Sequence, residues 1–302
     1  MDNKTKDLIV AFFLSMTYII LGALNVYSMT FLAFIPILML PIVIYGIKKS
    51  DKNIDFILYS TIIFCIALGG NSLEAIIFTF TILLPSYAII IGYHKDISLP
   101  HHFMYLTLTI WAGTFICFNF LLFIGIDYIQ IYFSFLEQYE DMVLAVTPEI
   151  INFMRLIYYA IFFLVSGWLS VICLGVIKIV FKIKKWKFPK LNQILDFKMS
   201  QISLVVFLLA LMLLQTNTNS VTEFVGINAT IIFISLYQLM GLLSILSAVR
   251  KSKFSNLPRF VTGIIFMIII LAIALISFTP YILVLIGIID TLINYRKVKF
   301  VV

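Results

Sequence analysis

Three ionisable side chains stand inside or at the edge of long apolar runs, where lipid makes a charge costly and a role correspondingly expected: Glu74, Arg155 and Asp290. Glu74 opens one run on the side where basic residues are missing, a place where a carboxylate also suits a helix N-terminus. Arg155 lies one turn into another run on the same side. If the two runs are neighbours, carboxylate and guanidinium either pair or line a pocket for a zwitterionic solute. Asn71, Asn119, Trp111 and Trp168 are then at hand to complete such a pocket. The plainer reading is a structural ion pair or snorkelled charges. Asp290 reads as the partner of a nearby Lys or Arg, with proton coupling as the sharper alternative.

Other chemistry finds little footing. The chain has no phosphate-cradling GxxxxGK loop, no HExxH zinc pair and no GxSxG nucleophile elbow, so neither ATP hydrolysis nor an assembled catalytic set is expected. The expectation is a protein that is not an enzyme and carries no cofactor. His94, His101 and His102, with Asp96, form the one His-rich patch, and they read as polar loop residues rather than a metal site. Cys65, Cys117 and Cys173 sit singly in apolar runs, as small buried hydrophobes do.

The elements that must position these groups are membrane spans. The chain is 63% apolar and 12% charged, whereas soluble domains are about 45–50% apolar and about 25% charged. Residues 156–177 carry no charged side chain, and at about 1.5 Å per residue they cover roughly 33 Å, enough for a hydrocarbon core of about 30 Å. The same logic gives an all-α, polytopic transmembrane bundle of about ten spans, with eight as the lower count. They are residues 8–24, 30–47, 54–68, 73–93, 103–126, 151–181, 200–215, 224–249, 260–278 and 281–295. A retained first span is expected, and not a cleaved signal peptide. Pro36, Pro41 and Pro85 should kink their helices.

Of the 21 Lys and Arg, all but Arg155 fall at one set of span ends, which predicts both termini inside and exclusion of nucleic acid as the reason for the net charge of +7. The chain therefore reads as one transmembrane domain, 1–302. Spans one to five occupy 1–126, and an acidic outer connector (127–150) carries five carboxylates and no Lys or Arg. The sixth span (151–181) follows, then a basic inner connector (182–199) and the last four spans (200–302). Both connectors show helical amphipathic spacing, with Trp186 at headgroup depth.

Particular residues add a resemblance. Gln238-Leu-Met-Gly241-Leu-Leu, Ile286-Gly287-Ile-Ile-Asp290 and Asn294-Tyr295-Arg296-Lys297 resemble the YybS-like bacterial membrane proteins, a family of unknown function. Pro148 and Phe188-Pro189-Lys190-Leu191 extend the likeness over most of the chain. Phe197-Lys198-Met199-Ser200 departs from it, standing where Trp-x-x-Pro is expected. The N-terminal half is distantly similar to the substrate-capture subunits of energy-coupling-factor transporters. The similarity rests on the small-residue first span, the Pro-rich second span ending in Tyr45-Gly46, and the hairpin of spans three and four. It implies a bacterial cytoplasmic-membrane location, a vitamin or metabolite as solute, and a transmembrane coupling subunit with ATPases as partner. Docking would run through Ala11 and Ser15, an imperfect Ala-xxx-Ala pair that also suits close helix approach in general. The competing expectation is a non-transporting scaffold or regulator of envelope or signalling assemblies, recruiting partners with its lysine-rich face.

Overall fold

The computed structural model describes residues 3–23, 34–48, 62–63, 72–127, 129–131, 134, 148–187, 195, 197–215, 220–251 and 279–293. Among the described residues the chain is helical, with no strand. In order come α1 (Asn3–Ala23), α2 (Ile35–Lys48), α3 (Ser72–Phe78), a π-helical segment (Thr79–Leu83), α4 (Leu84–His94), α5 (Leu99–Phe123), α6 (Pro148–Lys184), α7 (Gln201–Gln215), α8 (Ser220–Lys251) and α9 (Thr279–Ile293). Among the described residues, four stretches are long and apolar enough to cross a membrane: Ser72–His94, Leu99–Phe123, Glu149–Lys184 and Val221–Ala248. Ile9–Leu21, Ile35–Lys48, Gln201–Gln215 and Pro280–Ile293 are apolar but shorter. The expected third span, apart from residues 62–63, and the ninth lie outside the described residues, as do Asn71 and most of the acidic connector.

Several boundaries differ from the sequence reading. α6 starts at Pro148 and runs to Lys184, so it extends past the apolar run at both ends. Residue Ser220, expected in a polar turn, already belongs to α8, and Thr279 and Pro280 open α9 instead of forming the turn before it. Pro sits well in the first turn of a helix, where its missing N–H would have no partner anyway. The same argument covers Pro36, which is the second residue of α2.

Pro85 has a larger effect. Its ring would collide with the carbonyl four residues earlier, and its missing N–H leaves a rung unmade. The helix answers by widening just ahead of it into the π segment, where the Leu84 N–H reaches back to the Thr79 carbonyl. Hydroxyls serve nearby carbonyls: Thr79 Oγ1 donates to Ala75 O (2.7 Å), Thr81 Oγ1 to Ile77 O (2.8 Å) and Ser86 Oγ to Ile82 O (2.6 Å).

Two compact units emerge, and α6 contributes to both. The first comprises Met1–Ile151 and Val165–Pro189, the second Asn152–Leu164 and Lys190–Val302. In the first, α4 and α5 form an antiparallel hairpin. A side chain at Gly113 would run into the backbone carbonyl of Phe80, so this glycine is a requirement of close approach, and one at Gly92 would displace the His102 ring. Tyr18 of α1 is buried; its hydroxyl donates to the Leu38 carbonyl of α2 and its ring lies 5.0 Å from that of Phe78. In the second unit, α7 and α8 run antiparallel, as the pairs Leu214/Gly226, Phe207/Phe233 and Ser203/Tyr237 show. α8 and α9 meet at two glycines. Gly241 faces the Leu283 carbonyl and Gly287 the Tyr237 carbonyl, each carbonyl four residues before the opposing glycine, and no Cβ fits at either place. Small residues at a helix crossing are how membrane helices gain packing when lipid is as apolar as their side chains.

Three helices end in one hydrogen-bond pattern. At α4, Ile97 N–H donates to Gly92 O and Asp96 N–H to Tyr93 O (both 3.1 Å). At α5, Ile126 N–H donates to Leu121 O (2.8 Å) and Gly125 N–H to Leu122 O (3.0 Å). At α6, Trp186 N–H donates to Phe181 O (2.9 Å) and Lys185 N–H to Lys182 O (3.3 Å). This is the Schellman arrangement, whose turning residue takes left-handed angles. The turning residues are Asp96 (φ 49°), Gly125 (φ 86°) and Lys185 (φ 56°). Glycine adopts these angles freely and Asp tolerates them, but a lysine there costs roughly 1–2 kcal/mol.

Candidate functional site

Glu74 is a buried carboxylate of the first unit, only 4% exposed, in the first turn of α3. Ala75, Ile77 and Phe78 around it in sequence are buried too. Its position follows from local sequence: Ser72-Leu-Glu opens the helix, and an acidic residue in a first turn faces the positive end of the helix dipole. Five residues later the π segment begins.

The α4/α5 hairpin sets what lies beside it. The pairs Gly92/His102 and Phe80/Gly113 fix the register, and continuing it along α3 brings Asn119 to about the level of Glu74. Asn119 is half-buried, and its Nδ2 donates to Phe115 O (2.8 Å) of its own helix. Trp111, also half-buried, sits eight residues back along α5, about 12 Å away in the helix direction. The first unit therefore brings Glu74 and Asn119 to one level and leaves Trp111 two turns off.

Arg155 is exposed on the part of α6 that belongs to the second unit, whereas Glu74 belongs to the first. Trp168, another pocket candidate, is 73% exposed on α6 and presents its ring outward. Ser15 is buried beside Tyr18 on the covered face of α1, and its hydroxyl donates to Ala11 O (2.9 Å). Ala11 is half-buried, while Ile9, Val10, Phe12, Phe13, Met16 and Ile20 face outward. Asp290 is 2% exposed on α9, next to buried Thr291, whose Oγ1 donates to Gly287 O (2.9 Å).

The histidines have bland occupations. His94 Nε2 donates to Gly46 O (3.1 Å), His101 Nδ1 meets Ser98 Oγ (2.6 Å), and His102 Nδ1 donates to Ile97 O (3.2 Å). No group of three or more metal-binding side chains gathers among the described residues. A small cleft, lined by Ile89, Tyr93, Leu99, His102, Leu174, Ile177 and Phe181, is apolar but for the imidazole. It lies at the far end of the hairpin from Glu74, 18 residues and about 27 Å along the helix direction.

One polar residue escaped the sequence reading. Asn228, buried in α8, donates from Nδ2 to Leu156 O (2.6 Å) and accepts at Oδ1 from Ala160 N–H (2.8 Å). Those two backbone groups are the acceptor and donor of a single i→i+4 rung of α6. The carboxamide thus spans a rung of the neighbouring helix, and its second N–H returns to Phe224 O (2.9 Å) in its own. Tyr159 packs edge-on against Phe224 beside it, ring centroids 5.1 Å apart. The available signal is a lone Asn inside an apolar run, and nothing in the sequence says which helix it faces.

The chain matches, over residues 16–291, the family described as "Predicted membrane protein (DUF2232)". It belongs to that family. Neither the curated proteins nor the solved structures contain a match. As a DUF2232 membrane protein with several apolar helices, the chain has the lipid bilayer as its surroundings, which accounts for the many outward-facing Ile, Leu, Phe and Val side chains of α1, α5, α6 and α7.

Proposed function

We propose that this DUF2232 protein binds a small solute inside the bilayer for uptake, with energy supplied by a partner, and does no covalent chemistry itself. The observation that carries this reading is the buried carboxylate of Glu74 on a helix that is re-registered by a π segment five residues later. Buried carboxylates in membrane helices mark solute and ion paths, and π segments cluster at functional sites. Asn119, at the same level, supplies an amide. Glu74 and Asn119 form the binding set, with Asn71 close to Glu74 in sequence and Trp111 a more distant wall. The solute is one with a cationic group, complementary to Glu74. Ten spans with both termini on the cytoplasmic side of a bacterial cell membrane complete the reading. The partner is a transmembrane coupling subunit with ATPases, as the similarity to energy-coupling-factor capture subunits implies, and α1 carries the docking face.

The test is a thermal-shift screen of cationic and zwitterionic metabolites on the purified protein, with Glu74→Gln and Asn119→Ala alongside. A solute should raise the melting midpoint of the parent and lose at least about tenfold in affinity on either variant, a charge-assisted hydrogen bond being worth about 1.5–3 kcal/mol. Both variants should still insert in the membrane. Equal binding by parent and variants would overturn the site.

A further inference from the structure

The end of α6 holds a feature that the solute-binding reading leaves idle. Between Glu149 and Asp196 the chain has no carboxylate, and Lys178, Lys182, Lys184, Lys185 and Lys187 are all exposed there. None of these five ammonium groups has a hydrogen bond or ion pair among the described residues. Lys178 and Lys182, at i and i+4, stack on one helix face about 6 Å apart along the axis. Lys185 follows them in the turn that closes the helix. Topology alone would be served by lysines anywhere past the span. It does not require a lysine at the turning position of a Schellman cap, where α5 uses Gly125 and α4 uses Asp96.

That turn has a consequence. It folds Trp186 back over the helix end, its ring edge-on to Phe181 at 5.4 Å, and Phe181 in turn meets Tyr93 at 5.3 Å. The indole is thereby fixed beside the lysine row, in the manner of an interfacial anchor. Next to the row, Ile179 (61% exposed) and Ile183 (72%) face outward. A row of ammonium groups bordered by exposed isoleucines matches a molecule with an anionic head and an apolar tail. A soluble acidic peptide would answer the charges and leave the isoleucines uncovered.

We propose that the basic end of α6 is a binding site for anionic phospholipid, with Lys178, Lys182 and Lys185 holding the headgroup phosphate, Trp186 packed at the interface and Ile179 and Ile183 against the acyl chains. Lys178, the deepest of the three, reaches the phosphate by extending its stem along the helix. The strained Lys185 is kept because a glycine there would relax the turn and delete a phosphate ligand.

The experiment compares the full chain in nanodiscs of phosphatidylcholine alone and of phosphatidylcholine with phosphatidylglycerol. It reads the melting midpoint, and it counts phosphatidylglycerol retained after exchange into neutral detergent by native mass spectrometry. The parent should melt higher with phosphatidylglycerol and retain it. Neutralising Lys178, Lys182 and Lys185 to Gln should cut retention about fivefold per lysine, about a hundredfold for all three, while Arg at the same positions restores it. Lys185→Gly should melt above the parent in phosphatidylcholine yet gain less from phosphatidylglycerol, a pair of opposite shifts that a purely structural lysine would not give. Equal phosphatidylglycerol shifts for parent and triple Gln variant would overturn the proposal. So would an equal shift produced by inorganic phosphate, or retention restored only by an acidic protein partner.

Discussion

At the scale of single residues, polar groups in this protein do two different jobs. Asn228 ties one helix to a backbone rung of another, and Glu74 places a buried carboxylate in the first turn of a helix. The difference makes the Asn228 contact separable by mutation. Replacing it with Leu deletes three hydrogen bonds, but the Leu156 carbonyl and Ala160 N–H can then bond each other, so the expected loss is about 1–2 kcal/mol, near the upper range for side-chain bonds between membrane helices. Asn228→Asp should cost more at neutral pH, because an ionised carboxylate would face the carbonyls of Leu156 and Phe224, which can only accept. Lowering the pH protonates it, restores a donor and should recover part of the lost melting midpoint. Melts of the two variants at neutral and acid pH check this; an Asp variant indifferent to pH would refute the donor role of Nδ2.

At the scale of elements, contacts between helices are set by backbone approach more than by side-chain volume. Gly287 and Gly241 each face a carbonyl of the opposing helix with no room for a methyl group. Gly287→Ala or Gly241→Ala should push α8 and α9 apart and cost about 1–3 kcal/mol, the usual range for overpacking. Gly167 and Gly175 of α6 face open space. Gly167→Ala should therefore be neutral or stabilise by about 0.5–1 kcal/mol through helix propensity alone. Detergent melts of the three variants give the comparison, and equal losses at Gly167 and Gly287 would refute the close backbone approach of α8 and α9. Likewise, Pro85→Ala restores an N–H donor to the helix at the π segment. The ordinary i→i+4 ladder should then close, shifting Glu74 relative to α5 and weakening the solute affinity expected above.

At the scale of the whole molecule, the chain is a membrane protein of the DUF2232 family whose described helices pack as two units, with α6 shared between them. Purification from the native membrane in mild detergent tests the proposed role. Recovery of a transmembrane coupling subunit with its ATPases is the expected result, and recovery of envelope or signalling proteins alone would favour a scaffold instead. A second whole-chain test is topological. Single cysteines placed at Lys184 and at Ser220, in a background lacking Cys65, Cys117 and Cys173, should react with a membrane-impermeant thiol reagent from opposite sides of the bilayer. Labelling of both from one side would refute the proposed topology.

Composition and charge placement determined the solvent and the helical class, because long uncharged runs have no other stable form in lipid, where every backbone group must find its partner internally. They also pointed to Glu74 and Asp290 as unusual, and both prove buried. Pro85 announced a disturbance in its helix without saying which kind; only the packed structure shows a π segment in place of a simple kink. Partnerships between distant residues were not legible. That Asn228 would meet a rung 68 residues away, that Gly287 would face Tyr237, or that Asn119 would share a level with Glu74 while Trp111 does not, depends on which helices are neighbours and in what register. Hydropathy and charge act on each span separately and are nearly blind to rotation about its axis. Contacts between helices, set by a few glycines and amides, make that choice, and tertiary structure alone records it.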